Sequence, residues 1–332
     1  MVSPDVSQLF PFPLDGFQLE SIDALNQGHS VVVSAPTGSG KTLVGEYAIH
    51  RAIAHGQKVF YTTPLKALSN QKLRDFREEF GAENVGLMTG DLSVNREARV
   101  VVMTTEIFRN MLYAEVDKHD DPLADVESVV LDECHYMNDS QRGTVWEESI
   151  IHCPPSVQLV ALSATVANAG QLTDWIEKVH GPTRLVLSDF RPVPLQFSFC
   201  SAKGLHPLLN EQGTGIHPNC KVWRAPKGHK RKGRSPRPPQ PEAPPISFVV
   251  AQMGQREMLP AIYFIFSRRG CDKAVRDLGV QCLVTEAEQT IIRDRLEAYT
   301  AANPEAVRDG LHADALLRGI ASHHAGVLPA WK

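Results

Sequence analysis

Short apolar runs alternate with amphipathic stretches between about residue 30 and residue 187. The apolar runs cover residues 31–35, 59–63, 100–103, 128–131 and 159–162, with a weaker one at 85–88. Helical patterns cover residues 42–54, 65–80, 106–113, 144–152 and 171–180. Buried apolar strands that alternate with helices predict an α/β fold with a mainly parallel sheet covered on both faces. The carboxyl ends of such strands meet at one edge, where ligands bind.

The pattern changes after residue 194. Residues 212–241 contain no Asp or Glu, but they carry eight Lys and Arg residues and a proline cluster. A segment of this composition cannot bury much apolar surface and predicts a flexible linker. A second α/β pattern then starts with an apolar run at 261–266 and a helix at 271–278. We therefore predict a first domain over 1–200, a basic, proline-rich linker over 201–247 and an incomplete second domain over 248–332.

Composition narrows the class of protein. The chain has 332 residues, an apolar fraction of 42% and a formal net charge of −4, so any binding of nucleic acid must come from local patches. Its six cysteines form no C-x-x-C pair, which favours free thiols in a reducing compartment. The sequence shows no signal peptide and no window approaching eighteen apolar residues. It therefore predicts a cytoplasmic protein with no membrane partner.

A glycine-rich segment follows the first apolar run and precedes a helical pattern, the setting in which backbone N–H groups wrap a triphosphate. Gly38 and Gly40 let the backbone approach the phosphates, Lys41 pairs with the β/γ oxygens, and the Thr42 hydroxyl is a magnesium ligand. Ala35 departs from the consensus, which has glycine there. The predicted ATP-binding segment is Ala35, Pro36, Thr37, Gly38, Ser39, Gly40, Lys41 and Thr42.

An acidic segment, Asp132-Glu133-Cys134-His135, follows the apolar run at 128–131. Asp132 is predicted to hold magnesium, directly or through water, and Glu133 to orient or deprotonate the attacking water. Together with the glycine-rich loop these residues predict a nucleotide-hydrolysing site, with Lys41 and Glu133 as its catalytic residues. His135 is either a residue beside the nucleotide site or an ordinary hydrogen-bonded histidine.

Further segments match one known family in the same order along the chain: residues 12–18, 63–71, 89–91, 104–106 and 163–165. On these motifs the chain resembles a superfamily-two helicase of the DExH-box class. Residues 142–148 and 191–195 are finer marks that make it most similar to the superkiller-type (antiviral, exosome-associated) RNA helicases. The resemblance implies a RecA-like first domain and a partial second RecA-like domain. It also implies ATP and Mg²⁺ as cofactors and a single RNA strand as the partner.

The same resemblance assigns further roles. Phe17 and Gln18 would contact the adenine of ATP. His135, Ser163 and Thr165 would couple hydrolysis to unwinding. The residues expected to contact the backbone of the nucleic acid are Pro64, Lys66, Ala67, Thr89, Gly90, Thr104 and Thr105.

The resemblance leaves several alternatives open. The family's later motifs, which supply arginines to the γ-phosphate, have no match in these residues, so the expectation is a shortened helicase with weak activity alone. The rivals are a DNA helicase of the same superfamily and a non-catalytic ATP- and RNA-binding module. The basic linker is either a grip on RNA or a solvated tether. Protein partners, target RNA and polarity are not indicated.

Overall fold

The computed structural model describes residues 4–113, 122–220, 243–303, 310–324 and 326–327. The chain divides into two compact units, Met1–Pro194 and Leu195–Lys332. The division lies a few residues before the predicted end of the first domain at residue 200.

The first unit contains an eight-stranded sheet. Its strands are β1 (Ser30–Ser34), β2 (Lys58–Thr63), β3 (Val85–Met88), β4 (Ser93–Val94), β5 (Val100–Thr104), β6 (Val126–Leu131), β7 (Gln158–Ser163) and β8 (Thr183–Leu187). Their order in the sheet is β4-β3-β5-β2-β6-β7-β1-β8, and every pairing is parallel except that of β3 with β4. The predicted α/β class with a mainly parallel sheet is therefore confirmed.

Helices connect the strands of this unit. They are α1 (Val6–Leu9), α2 (Gly16–Asn26), α3 (Thr42–His55), α4 (Lys66–Phe80), α5 (Thr105–Tyr113), α6 (Gly143–His152) and α7 (Ala169–Val179). A 3-10 helix, Cys134–Asn138, follows β6. The five helices predicted from periodicity correspond to α3 to α7 within two residues at each end. Gly56 follows the last residue of α3, and its φ of 72° is the left-handed conformation in which a helix commonly stops.

The sheet is buried on both faces, which explains the continuous apolar runs. Val31 and Val33 point into one core with side chains of α2, α3 and α4, whereas Val32 points into a second core with side chains of α5, α6 and α7. Because strand side chains alternate between faces, three consecutive valines can serve both cores. The largest fully buried side chains are Tyr47 and Tyr61 in the first core and Trp146 in the second.

The second unit has less regular structure among its described residues. A hairpin joins β9 (Ser198–Ser201) to β10 (Gly204–Pro207), a 3-10 helix spans Pro218–Cys220, and four helices follow: α8 (Ile246–Gly254), α9 (Arg268–Asp277), α10 (Glu286–Ala302) and α11 (Gly310–Leu316). Its small core contains Val275, Leu278, Ala315 and Ile320. Within the described ranges, no helix is long and apolar enough to cross a bilayer.

Two predictions for this unit need correction. The predicted linker begins at 201, but the chain there is still part of the hairpin, because β9 and β10 satisfy each other's backbone hydrogen bonds; its central part, 221–242, lies outside the described residues. The predicted strand at 261–266 is not a strand. Ile262, Phe264 and Phe266 are largely exposed, and β9 and β10, the strands described in this unit, pair only with each other. The helix predicted at 271–278 corresponds to α9.

Candidate nucleotide and nucleic-acid site

The predicted motifs lie at one edge of the sheet. Strands β1, β2, β5, β6 and β7 end at Ser34, Thr63, Thr104, Leu131 and Ser163, and a predicted motif follows each of these ends directly. Since these strands are parallel members of one sheet, their carboxyl ends share an edge. The fold therefore brings together residues that are far apart in the sequence, as expected for ligand sites in open α/β sheets.

The glycine-rich loop between β1 and α3 has the conformation that a phosphate cradle needs. Gly38 and Gly40 have φ values of +83° and +84°, a region that costs other residues roughly 1–2 kcal/mol. A Cβ added to Gly38 would meet nothing within 4 Å, so the backbone faces open space there. Ala35 is fully buried and its N–H donates to the Ser163 carbonyl oxygen at 3.2 Å, which continues the β1–β7 pairing. The consensus glycine is not required at a position that continues a regular strand.

Lys41, at the end of this loop, is a buried cation. The residue is only 6% exposed, and its ammonium group has no carboxylate within 4.0 Å in the described part of the chain. The Ser39 hydroxyl is also buried without a hydrogen-bond partner among the described residues. Helix α3 begins directly afterwards at Thr42, so its free N–H groups add positive potential. An anionic ligand fits a site with these donors.

Gln18, on α2, lies against the same loop. Its side-chain Nε2 donates to the Gly40 carbonyl oxygen at 3.0 Å, and its Oε1 accepts from the Asp15 N–H at 2.8 Å. The amide therefore holds the loop in place, while its remaining donor and acceptor capacity is what a base edge would use. Phe17 is buried in the core and only 7% exposed, so it has little surface available for the predicted contact with adenine. Both adenine roles stay predictions.

The Asp132 carboxylate is held by two donors at the end of β6. Tyr61 Oη donates to Asp132 Oδ2 and the Glu133 N–H donates to Asp132 Oδ1, each at 2.9 Å. Asp132 is 8% exposed. Burial, and then the neighbouring Asp132 charge, raise the pKa of the Tyr61 hydroxyl well above 10, so this hydroxyl keeps its proton and is the donor. Carboxylate and hydroxyl oxygens are ligands that Mg²⁺ prefers, and Asp132 with Thr42 would supply them.

The backbone turns sharply after Asp132. Glu133 has a φ of 52°, the left-handed conformation that is uncommon outside glycine, and the 3-10 helix starts at the next residue. His135 Nδ1 lies 3.3 Å from Glu133 Oε2 and 3.4 Å from the Ala164 nitrogen. The buried Ser163 hydroxyl donates to the Ala164 carbonyl oxygen at 2.8 Å. The structure thus brings His135 and the 163–165 segment together, with Thr165 exposed beside them.

The residues predicted to contact nucleic acid lie on loops that are joined to one another by hydrogen bonds and ion pairs. The Thr105 hydroxyl donates to the Thr63 carbonyl oxygen at 3.3 Å, and Lys66 pairs with Asp91, the residue after Gly90. Arg142 donates to the Pro64 carbonyl oxygen at 2.6 Å and also pairs with Glu106.

Their exposure differs. Lys66, Ala67 and Gly90 are exposed and Thr89 is half-buried, whereas Pro64, Thr104 and Thr105 are buried. The Thr105 hydroxyl is already bonded within the protein. This leaves the exposed groups and the N-terminus of α4 as the surface available to phosphates.

Tyr61 is the site residue that sequence reasoning missed. It lies inside the apolar run 59–63 and counts there as a strand former. The available signal is that a tyrosine, whose hydroxyl needs a partner when buried, precedes the strand end by two residues.

Six cysteines are described and none forms a disulfide; burial raises the pKa of Cys134 and of Cys153 to about 12.

The chain is similar to known helicases. Residues 15–172 match the family model "DEAD/DEAH box helicase". The chloroplastic DExH-box ATP-dependent RNA helicase DExH15 of Arabidopsis thaliana is 43% identical over 99% of this chain and 31% of that protein. The probable helicase HelY of Mycobacterium leprae is 42% identical over 97% of this chain and 37% of that protein. The exosome RNA helicase MTR4 of Homo sapiens is 38% identical over 97% of this chain and 32% of that protein.

Over residues 15–172 the chain therefore carries a segment that matches the DEAD/DEAH box helicases, and the Arabidopsis relative is named as a DExH-box protein, as the motifs indicated. It spans about a third of the length of the curated relatives that it matches.

Proposed function

We propose that this chain contains the ATP-binding and ATP-hydrolysing module of an ATP-dependent RNA helicase. The observation that carries the proposal is the meeting, at one sheet edge, of an open glycine loop, a buried lysine without a carboxylate partner among the described residues and the Asp132–Glu133 turn. The family supports it, and the relatives named as RNA helicases favour RNA as the nucleic acid. We propose that strand unwinding also requires the further segments that the longer relatives contain.

In the proposed mechanism the loop N–H groups and Lys41 bind and orient the phosphates of ATP. Mg²⁺, when bound by Thr42 and Asp132, would supply charge neutralisation for the leaving phosphate oxygens. Glu133 would take the proton of the water that attacks the γ-phosphorus while the bond to the β–γ bridging oxygen breaks. Removing the proton at Glu133 makes the water a better nucleophile, which contributes typically 10²–10⁴-fold.

The nucleic-acid contacts are proposed at the exposed parts of the tied loops. Lys66 is paired with Asp91 in an exposed ion pair, and such pairs are worth about 0–1 kcal/mol, so a phosphate can displace the carboxylate. The N-terminus of α4 provides N–H donors that read no bases. A reducing compartment such as the cytoplasm is proposed because the six cysteines are unpaired.

Comparing ATP hydrolysis in the presence of single-stranded RNA, single-stranded DNA and no nucleic acid tests this function. Weak turnover, raised more by RNA than by DNA, is the expected result. Equal stimulation by DNA would favour a DNA helicase of the same superfamily. Binding of ATP and RNA without stimulated turnover would favour the non-catalytic module. Failure to bind Mg²⁺-ATP at all would refute the proposal.

A further inference from the structure

Tyr61 has a buried hydroxyl that packing in the sheet does not require. It lies on β2, which has β5 and β6 as neighbours, and its side chain is fully buried. A phenylalanine would fill such a position without the cost of burying a polar group, which is roughly 1–3 kcal/mol by protein mutational data when the group is left unpaired. The hydroxyl is paired with one atom of the nucleotide site, Asp132 Oδ2, at 2.9 Å.

The sheet register explains how this contact arises. Tyr61 is the register partner of Val130 on β6, and Asp132 lies two residues further along the same chain. Side chains two residues apart on a strand share a face, so Tyr61 and Asp132 are diagonal neighbours, and the tyrosine side chain is long enough to bridge them. A tyrosine at this position therefore reaches past the end of β6 to the carboxylate.

The ring of Tyr61 is held on several sides. Phe76 on α4 packs edge-on against it with a centroid distance of 4.9 Å, and Lys72 Nζ lies 5.5 Å from its centroid. On the other side, a Cβ added to Gly45 of α3 would lie 3.1 Å from Tyr61 Cε2, so α3 already packs closely against the ring. The hydroxyl thus has a position set by two helices and a strand.

The two oxygens of Asp132 have different donors. Oδ2 accepts from Tyr61 and Oδ1 accepts from the Glu133 N–H, which fixes the plane of the carboxylate. Each carboxylate oxygen has about two lone-pair sites, so both can still face a cation. A freely rotating Asp132 would lose this orientation.

We infer that Tyr61 is a positioning residue that orients the Asp132 carboxylate toward a divalent cation bound with the nucleotide. The inference rests on the proposed role of Asp132 as a magnesium ligand. Outer-sphere hydrogen bonds to metal ligands typically change metal affinity or activity by 10–100-fold when they are removed. Loss of the Tyr61 hydroxyl should therefore weaken the cation more than it weakens the nucleotide alone.

Tyr61→Phe tests the inference with a matched control, Tyr47→Phe. Tyr47 is also fully buried and also donates a hydrogen bond, to Asn26 Oδ1 at 2.8 Å, but this bond joins α3 to the end of α2 and involves no residue assigned to the nucleotide site. Mn²⁺ is the probe: its free concentration is followed by electron paramagnetic resonance while it is titrated into each protein with saturating AMP-PNP. Thermal unfolding and AMP-PNP affinity in EDTA are measured for all three proteins.

For Tyr61→Phe the expected result is weaker Mn²⁺ binding, with a dissociation constant 10–100-fold larger than that of wild type. Tyr47→Phe should stay within about twofold of wild type, although both variants lose one buried hydrogen bond and similar thermal stability. A Mn²⁺ affinity of Tyr61→Phe equal to that of Tyr47→Phe would overturn the positioning role and leave the proposed function intact. Absence of AMP-PNP-dependent Mn²⁺ binding in wild type would overturn the proposed function and the inference with it.

Discussion

Replacing Lys41 should weaken nucleotide binding and, at the same time, stabilise the protein without ligand. Lys41→Met keeps most of the volume of the lysine stem but removes the charge. The residue is only 6% exposed and its ammonium group has no carboxylate within 4.0 Å among the described residues, so we expect its charge to favour the anion-bound state over the ligand-free fold. If Lys41 serves binding, Lys41→Met should therefore lose ATP affinity and gain thermal stability; if it serves the fold, the variant should lose thermal stability.

The magnitudes follow from the two roles. Truncating one partner of a buried charge pair costs about 2–5 kcal/mol of binding, which at about 1.4 kcal/mol per decade is a loss of roughly 30-fold to 4,000-fold in ATP affinity. Single stabilising substitutions commonly yield about 0.5–2 kcal/mol, and a trade-off between stability and activity is common at active sites. For a unit of this size, ~1 kcal/mol corresponds to a rise in Tm of about 2–4 °C.

The assay combines titration calorimetry with Mg²⁺-ATP and thermal unfolding without nucleotide. Lys58→Met is the control, because Lys58 starts the same sheet at its opposite edge and pairs with Glu97 at 2.9 Å. That variant should bind ATP like wild type and gain no stability. A Lys41→Met protein with unchanged ATP affinity would refute the phosphate-loop assignment. A variant that loses affinity and also unfolds at a lower temperature would show that Lys41 is structural.

Three further outcomes are expected. Glu133→Gln should bind Mg²⁺-ATP within about twofold of wild type and lower RNA-stimulated turnover by about 10²–10⁴-fold, because it keeps the shape and removes the base; full turnover by this variant would exclude Glu133 as the base. Burial, the largest cause, raises the pKa of the Glu46 carboxyl above its ordinary 4.5, so the folded protein loses stability as the pH rises through that region. Glu46→Gln should therefore raise the Tm at pH 7 but not below pH 4.5. A gain in Tm that persists in acid would contradict this explanation. Deleting residues 221–237 should make the salt dependence of RNA binding less steep if this basic segment grips phosphates, by about 0.7 in slope per lost contact, and an unchanged slope would mean a tether only.

The strands that sequence patterns predict best are those buried on both faces. β1, β2, β5, β6 and β7 appear as continuous apolar runs because each side chain enters one of two cores. β8 was missed because it is an edge strand and shows little apolar continuity, with only Val186 buried. The run at 261–266 misled for the opposite reason: its composition favours a strand, but a strand exists only when a neighbour pairs with it.

The candidate site was predictable at the level of loops and less so at the level of atoms. Strand ends locate the phosphate loop and the Asp132–Glu133 turn, because parallel topology alone brings them together. The Tyr61–Asp132 contact depends on cross-strand register, and the Gln18–Gly40 bond depends on how α2 packs. Neither is encoded in local periodicity, so neither can be seen before the fold is known.

The position of β1 in the sheet has a consequence for biosynthesis. This strand precedes the phosphate loop near the start of the chain, yet its hydrogen-bonding neighbours come much later: Val31 pairs with Val160 of β7 and with Arg184 of β8. A nascent chain that has not yet released these strands from the ribosome leaves both edges of β1 unpaired, with Ala35 and the glycine turn unsupported. Because a parallel pairing must wait for its later partner, the nucleotide site is among the last features of the first unit to form during synthesis, and until then the β1 valines are available to chaperones.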